Sequence, residues 1–271
     1  TFNSNKNLIV VEDNCAGIHK EDEERAFSIG NKNPNHEDLG TYGMGMKVSS
    51  FWFCPNWKVE TKPINEKYKK TYEINLEDIL VSGKSKDSKV KSDADSFTKI
   101  TLKNVYSGRI PTDTTKLANI QKYLSEMYRF MIMDESITIR FNGKPLSYKA
   151  PEIFHRRYID DKNGEEIRWL AHIPEFDLGT VERDGKTIEL KTLGGAVYIK
   201  KTGTNKKTEQ KGFSLFWKKR LVDGHPQRPW MPGKSDYDDT DLQIYGAHNQ
   251  YVATRLEGYI HLSPNFQVPS T

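Results

Sequence analysis

Asp38-Leu39-Gly40-Thr41-Tyr42-Gly43-Met44-Gly45-Met46-Lys47 places three glycines within six residues, with a lysine two positions after the last. Glycine takes φ > 0 readily and lets a backbone approach a ligand closely. Successive N–H groups of such a loop can point into one concavity that suits an anion. The residues that follow turn helical and apolar: Met46, Val48, Phe51, Trp52 and Phe53 leave little polar face, so the spacing predicts a buried helix. A helix starting at a glycine loop aims its positive end at whatever sits there. The stretch reads as a phosphate cradle, with a flexible loop capping a core helix as the alternative. Two other glycine motifs do not fit. A Walker loop ends in Gly-Lys-Ser/Thr, and here Met46 separates Gly45 from Lys47. The dinucleotide fingerprint follows directly on a strand, whereas this loop follows the polar run 31–38.

Upstream, Leu8-Ile9-Val10-Val11 is apolar and rich in β-branched residues, which predicts a central strand. Glu12-Asp13-Asn14-Cys15-Ala16-Gly17-Ile18 follows as a turn. A carboxylate at the end of a buried strand, next to such a turn, suits a ligand contact; capping the next helix is the alternative for Asp13, and a surface acid is the reading for Glu12. A helix is expected over 19–29, with Glu21, Asp22, Glu23 and Glu24 in its first turn and Gly30 ending it. Residues 30–42 read as a mobile lid. Downstream, 82–95 reads as a long solvated loop with Lys84, Lys86, Lys89 and Lys91. Leu117, Ile120, Leu124, Met127 and Met131 share one helical stripe. Ile137, Ile139 and Phe141 alternate as a strand, and Asn142-Gly143 signals a hairpin. Short strands are expected over 167–173, 187–190, 195–199, 213–217 and 256–262.

The 271 residues suffice for one large or two ordinary domains. With 35% hydrophobic and 29% charged residues the chain reads as globular. Cys15 and Cys54, the two cysteines, form no metal-ligand pair and suggest a reducing compartment. No run of 18 apolar residues and no signal peptide are present, so the expectation is cytoplasmic, or nuclear in a eukaryotic cell. The chain reads as a piece cut from a longer protein at both ends.

Taken together these segments resemble the GHKL ATPases, the group of gyrase, heat-shock chaperone, histidine kinase and MutL. Val11-Glu12-Asp13-Asn14-Cys15-Ala16-Gly17-Ile18 resembles their aspartate box, with Cys15 standing where the first glycine would be. Phe27-Ser28-Ile29-Gly30 resembles the start of the ATP lid, and Gly40, Gly43 and Gly45 the second glycine box. Trp57-Lys58-Val59-Glu60-Thr61-Lys62 is similar to the strand whose threonine supports the adenine-binding aspartate, and Ser96-Phe97-Thr98-Lys99-Ile100-Thr101-Leu102 to the closing strand. Within the group the details resemble the MORC and MutL branch, including the helix 117–128. The resemblance implies an α+β protein: a Bergerat-type ATP-binding α/β sandwich over 1–150, then a transducer-like α+β domain over 151–271. It implies an ATP-binding and ATP-hydrolysing dimerisation switch, using magnesium and acting on nucleic acid. Asp13 would hold the adenine amino group, supported by Thr61. Asn14, Gly17, Gly30, Gly40, Tyr42, Gly43, Met44, Gly45, Met46 and Lys47 complete the nucleotide-binding set. The catalytic glutamate and the magnesium-binding asparagine of the family would sit on a helix before Thr1, and the transducer lysine beyond Thr271, so no catalytic residue is assigned. A chaperone-like clamp for protein clients and a non-hydrolysing nucleotide sensor are the alternatives; a histidine kinase would need a dimerisation helix with a phospho-accepting histidine ahead of the domain.

Lys200, Lys201, Lys206, Lys207, Lys211, Lys218, Lys219 and Arg220 are eight cations in 21 residues, interleaved with Phe213, Phe216 and Trp217. A basic surface with aromatics can track a phosphate backbone; a solvated hairpin is the alternative. Trp230, in the loop 228–239, reads as a partner contact or as packing against its own domain.

Overall fold

The computed structural model describes residues 1–3, 6–27, 44–78, 86–157, 166–183, 185–203, 210–224 and 254–266. The chain divides into two compact units, Thr1–Leu117 with Phe141–Gly143, and Ala118–Arg140 with Lys144–Thr271.

In the first unit β1 (Phe2–Asn3), β2 (Leu8–Asp13), β3 (Asn56–Lys62), β4 (Tyr68–Asn75), β5 (Lys86–Lys91) and β6 (Phe97–Lys103) make one sheet in the order β1-β2-β6-β3-β4-β5. All neighbours are antiparallel. Strand alternation sends successive side chains to opposite faces. Ile9, Leu102, Trp57 and Ile74 therefore form one cross-strand row, and Val11, Ile100, Val59 and Tyr72 the next row on the same face. Two helices cover this face, α1 (Glu23–Phe27) and α2 (Gly45–Phe53), and Phe27, Met46, Phe51 and Phe53 pack into the shared core. The other face is wet. Lys99 pairs there with Glu12 at 3.3 Å, and Lys58 and Lys69 both reach Glu60 at 3.0 Å. Exposed pairs of this kind contribute little stability each.

Three local expectations change. Of the helix expected over 19–29, the described residues form a 3-10 turn over Lys20–Asp22 and then α1 over Glu23–Phe27, and 28–29 lie outside the described residues. The loop 82–95 contains β5, whose backbone is claimed by the ladder with β4; every side chain of this edge strand is exposed, and lysines on an edge discourage pairing with other chains. Helix α2 is only half buried: Met44, Val48 and Trp52 are 39%, 55% and 56% exposed, because its apolar residues fall on two stripes and only one meets the sheet.

The second unit carries α3 (Thr114–Met127), which begins just before its boundary, and α4 (Arg129–Met133). Asn142 (φ 48°) and Gly143 (φ 80°) turn the chain between β7 (Arg140–Phe141) and β8 (Lys144–Pro145), as the sequence led one to expect, although the strand before them is shorter. β9 (His155–Arg157) pairs with β10 (Glu166–Arg168). The main sheet takes β11 (Leu170–Ile173), β13 (Lys186–Ile199), β16 (Leu256–Leu262), β14 (Gly212–Trp217) and β15 (Arg220–Asp223) in that order, with β12 (Asp177–Arg183) also on β13. β14 runs parallel to β16. The two strands expected over 187–190 and 195–199 are one, with a register shift between Thr192 and Gly195.

The deepest residues of α3 and α4 are Ser125, Glu126 and Arg129, not the apolar stripe. Arg129 and Glu257 are each 2% exposed. Arg129 Nη1 donates to Glu257 Oε1 at 3.1 Å, and the Tyr198 hydroxyl donates to the same oxygen at 2.6 Å. Lys200 pairs with Glu257 Oε2 at 3.3 Å, and Glu126 Oε2 lies 3.5 Å from Arg129 Nη1. The guanidinium also lies over the rings of Phe216 and Phe130, at 4.8 and 5.3 Å. Burial pushes the Glu126 carboxyl up to about 7, against the pull of Arg129. This network ties α4 to β16 across 128 residues of sequence, which is why α3 and α4 group with the second unit.

Candidate functional site

The turn after β2 is held against the end of β3 by backbone geometry. Gly17 has φ 76°, and a Cβ there would come within 2.6 Å of the Lys62 carbonyl oxygen and 2.8 Å of Pro63 Cα. Only glycine meets both conditions. The Ile64 N–H donates to the Ala16 carbonyl at 2.7 Å, and the Ile18 N–H donates to Thr61 Oγ1 at 2.9 Å. Thr61, fully buried, donates in turn to the Phe97 carbonyl at 3.0 Å.

Asp13 stands exposed at the end of β2, and its Oδ1 accepts the Cys15 N–H at 3.0 Å. The Cys15 thiol also bonds to this carboxylate. The register sets Asp13 opposite Thr98, Thr98 opposite Thr61, and Thr61 opposite Lys70. These four occupy one row on the helix-covered face. Thr98 Oγ1 lies 3.3 Å from Thr61 Oγ1. The proton of Thr61 is committed to Phe97, so Thr98 is the donor in that contact. Thr98 was not singled out from the sequence; its cross-strand position beside Asp13 is what brings it to the site. Glu12 faces the opposite side, in its ion pair with Lys99, as the surface-acid reading holds.

At the other end of the candidate site, α2 begins at Gly45 after Met44, which makes no side-chain cap. A Cβ at Gly45 would meet no atom of the described residues within 4 Å. Met46 packs into the core. Lys47 is 5% exposed, and its Nζ donates to the carbonyls of Arg25 at 2.9 Å and Ala26 at 3.0 Å. Asn14 is exposed beside Asp13. Gly30, Gly40, Tyr42 and Gly43, with the expected lid, lie outside the described residues.

Residues 1–106 match the family model described as Histidine kinase-, DNA gyrase B-, and HSP90-like ATPase. The GHKL-type reading therefore holds for this region, and the α+β sandwich expected for it is the one described above. Comparison with curated proteins gave no significant match. Among solved structures, the ATPase region of Saccharomyces cerevisiae topoisomerase II is similar at 12% identity and TM-score 0.48, over 96% of this chain and 65% of that one. The chain thus spans under two thirds of that structure's length. The Aquifex aeolicus MutL ATPase domain complexed with ADP is similar at 13% identity and TM-score 0.40, over 95% of this chain and 80% of that one.

The basic run divides on inspection. Lys200 is 4% exposed and paired with Glu257, so it is a core residue and leaves the candidate interface. Lys201 is exposed and pairs with Glu152 at 3.2 Å. Lys219 pairs with Asp134, whose carboxyl it holds down at about 2. Lys218 lies over the Trp217 ring at 4.1 Å. Lys211 and Arg220 are half-buried; Lys206, Lys207 and Trp230 lie outside the described residues. Lys218 (φ 49°) and Lys219 (φ 64°) form the tip between β14 and β15, both left-handed. This conformation costs a non-glycine residue about 1–2 kcal/mol. Replacing Lys218-Lys219 by Asn-Gly, the pair such turns favour, is expected to raise stability by about 1 kcal/mol, read by urea unfolding. A net loss would show that the Lys219–Asp134 pair outweighs the backbone strain.

No helix among the described residues is long and apolar enough to cross a membrane. No group of three or more His, Cys, Asp or Glu among them is placed to hold a metal ion.

Proposed function

We propose that the first unit binds ATP with Asp13 as the adenine anchor, and that the protein is a magnesium-dependent ATPase working as a dimerising clamp on nucleic acid, of the MORC and MutL kind, with residues 151–271 as its transducer. The observation that carries the reading is the row Asp13–Thr98–Thr61, set against a turn that only Gly17 permits. The exposed carboxylate of Asp13 can accept from an exocyclic amine while its Oδ1 holds the loop. Thr98 and Thr61 anchor the floor beside it. Phosphates would lie at the start of α2, where the helix N-terminus favours an anion, and magnesium would enter with them, as phosphoryl transfer usually requires.

Asp13→Asn is expected to remove a charge-assisted contact and weaken ATP binding by about 1.5–3 kcal/mol, with the fold intact. Calorimetry giving near-normal affinity in that variant would refute the anchor. The nucleic-acid part has a separate test in the Asn-Gly variant at 218–219. If the hairpin touches phosphates, each lost contact flattens the salt dependence on duplex DNA by about 0.9 log units per log unit of salt, while ATP affinity stays unchanged. An unchanged slope favours a clamp for protein clients.

A further inference from the structure

Lys47 and Lys70 are almost fully buried, at 5% and 8% exposed, and both donate to α1. Lys70, on β4, donates from Nζ to Glu23 Oε1 at 2.9 Å and lies 3.3 Å from Glu66 Oε2. Lys47, on α2, holds the carbonyls of Arg25 and Ala26 of α1. Phe27 stacks on Tyr72 of β4 with ring centroids 4.2 Å apart. Over its described residues α1 is pinned to the sheet at Glu23 and to α2 at Arg25 and Ala26. Lys70 is also the last member of the row that begins at Asp13. Burying an ammonium group is costly unless it is paired, and burial with the nearby Arg25 charge lowers the Lys47 pKa. Methionine would fill the same volume without that cost.

We infer that Lys47 and Lys70 are positioning residues that clamp α1 between the aspartate end of the sheet and the first turn of α2, so that one rigid body reads both the base and the phosphates. The inference rests on the ATP reading of the site. It gives Lys47 a different task from direct phosphate contact, since its ammonium is committed to α1 without any nucleotide.

The test uses Lys47→Met, Lys47→Arg and Lys70→Met in the whole chain. Trypsin cutting after Arg25 in the nucleotide-free protein reports release of α1, because the carbonyl of the cut bond is one that Lys47 holds. Calorimetry with adenosine and with magnesium ADP gives the preference for the phosphorylated ligand. Lys47→Met should speed the cut several-fold and reduce that preference several-fold, and Lys47→Arg should restore most of both. Lys70→Met should speed the cut and weaken both ligands, and it carries the test if Lys47→Met does not fold. An unchanged cutting rate with a reduced ADP preference overturns the clamp in favour of direct phosphate contact. A faster cut with unchanged preference makes the contacts structural only. Failure of the parent protein to bind either ligand, with the cutting result intact, sinks the ATP reading itself.

Discussion

Arg129→Met is expected to destabilise the protein by about 3–5 kcal/mol, the loss typical of removing one partner from a buried ion pair. Methionine fills much of the same space, so the cost is electrostatic. Glu257 would keep Lys200 at 3.3 Å and the Tyr198 hydroxyl at 2.6 Å, but its closest cation would be gone. Glu126, 8% exposed, would lose the guanidinium as well. The aromatic cage of Phe130 and Phe216 would tolerate methionine, which packs well on rings. Adding Glu257→Leu should recover part of the loss, since a buried pair replaced whole by apolar groups is often neutral; the recovery should be incomplete because Lys200 then loses its carboxylate and keeps the Gln210 carbonyl. Urea unfolding of the two variants gives both numbers. A loss below about 1 kcal/mol for Arg129→Met, the range of exposed pairs, would mean that the guanidinium is solvated in solution.

Glu126→Gln should change how stability depends on pH. Burial raises the Glu126 carboxyl from the usual 4.5 to about 7 in the folded chain. The folded state therefore holds its proton where the unfolded chain has released it. The stability that this group contributes is fully present below 4.5 and is lost as pH rises through about 7. Across that interval the loss is about 3 kcal/mol, at 1.36 kcal/mol per unit. Glutamine keeps the shape and never charges. The variant should match the parent at pH 4.5 and exceed it at pH 8, where the difference is read from paired urea titrations. Parallel curves for the two proteins across that range would rule out a buried carboxyl. Glu257, Arg129 and Lys122 are the charges that act on Glu126, so the comparison is cleanest with all three left in place.

Local pattern carried much of the first unit. The β-branched run at Leu8 to Val11, the carboxylate Asp13 after it, and Gly17 four residues later were legible because each reflects a backbone requirement that one residue satisfies. Gly17 is the clearest case: its φ and its distance to Lys62 both exclude a side chain. The Asn142-Gly143 turn was legible for the same reason. What stayed hidden depends on register or on depth. Thr98 joins Asp13 and Thr61 only through pairing across three strands. Lys200 and Lys201 look alike in sequence, yet one is buried on Glu257 and the other exposed. The outward stripe of α2, with Val48 and Trp52 exposed, is hidden because apolar content alone does not say which of two stripes meets a sheet. Arg129 was passed over altogether, since its partner lies 128 residues away.

The two thiols have opposite surroundings, and that makes the chain a ready instrument. Cys54 is fully enclosed, while Cys15 is exposed two residues from Asp13. A maleimide dye should therefore attach at one place without any engineering, beside the carboxylate whose occupancy is in question. Burial and the neighbouring Asp13 charge raise the Cys15 thiol above its usual range, so coupling calls for mildly alkaline buffer. The attached fluorophore would then sense the arrival of a ligand optically, in real time and at nanomolar protein, where heat is too small to measure.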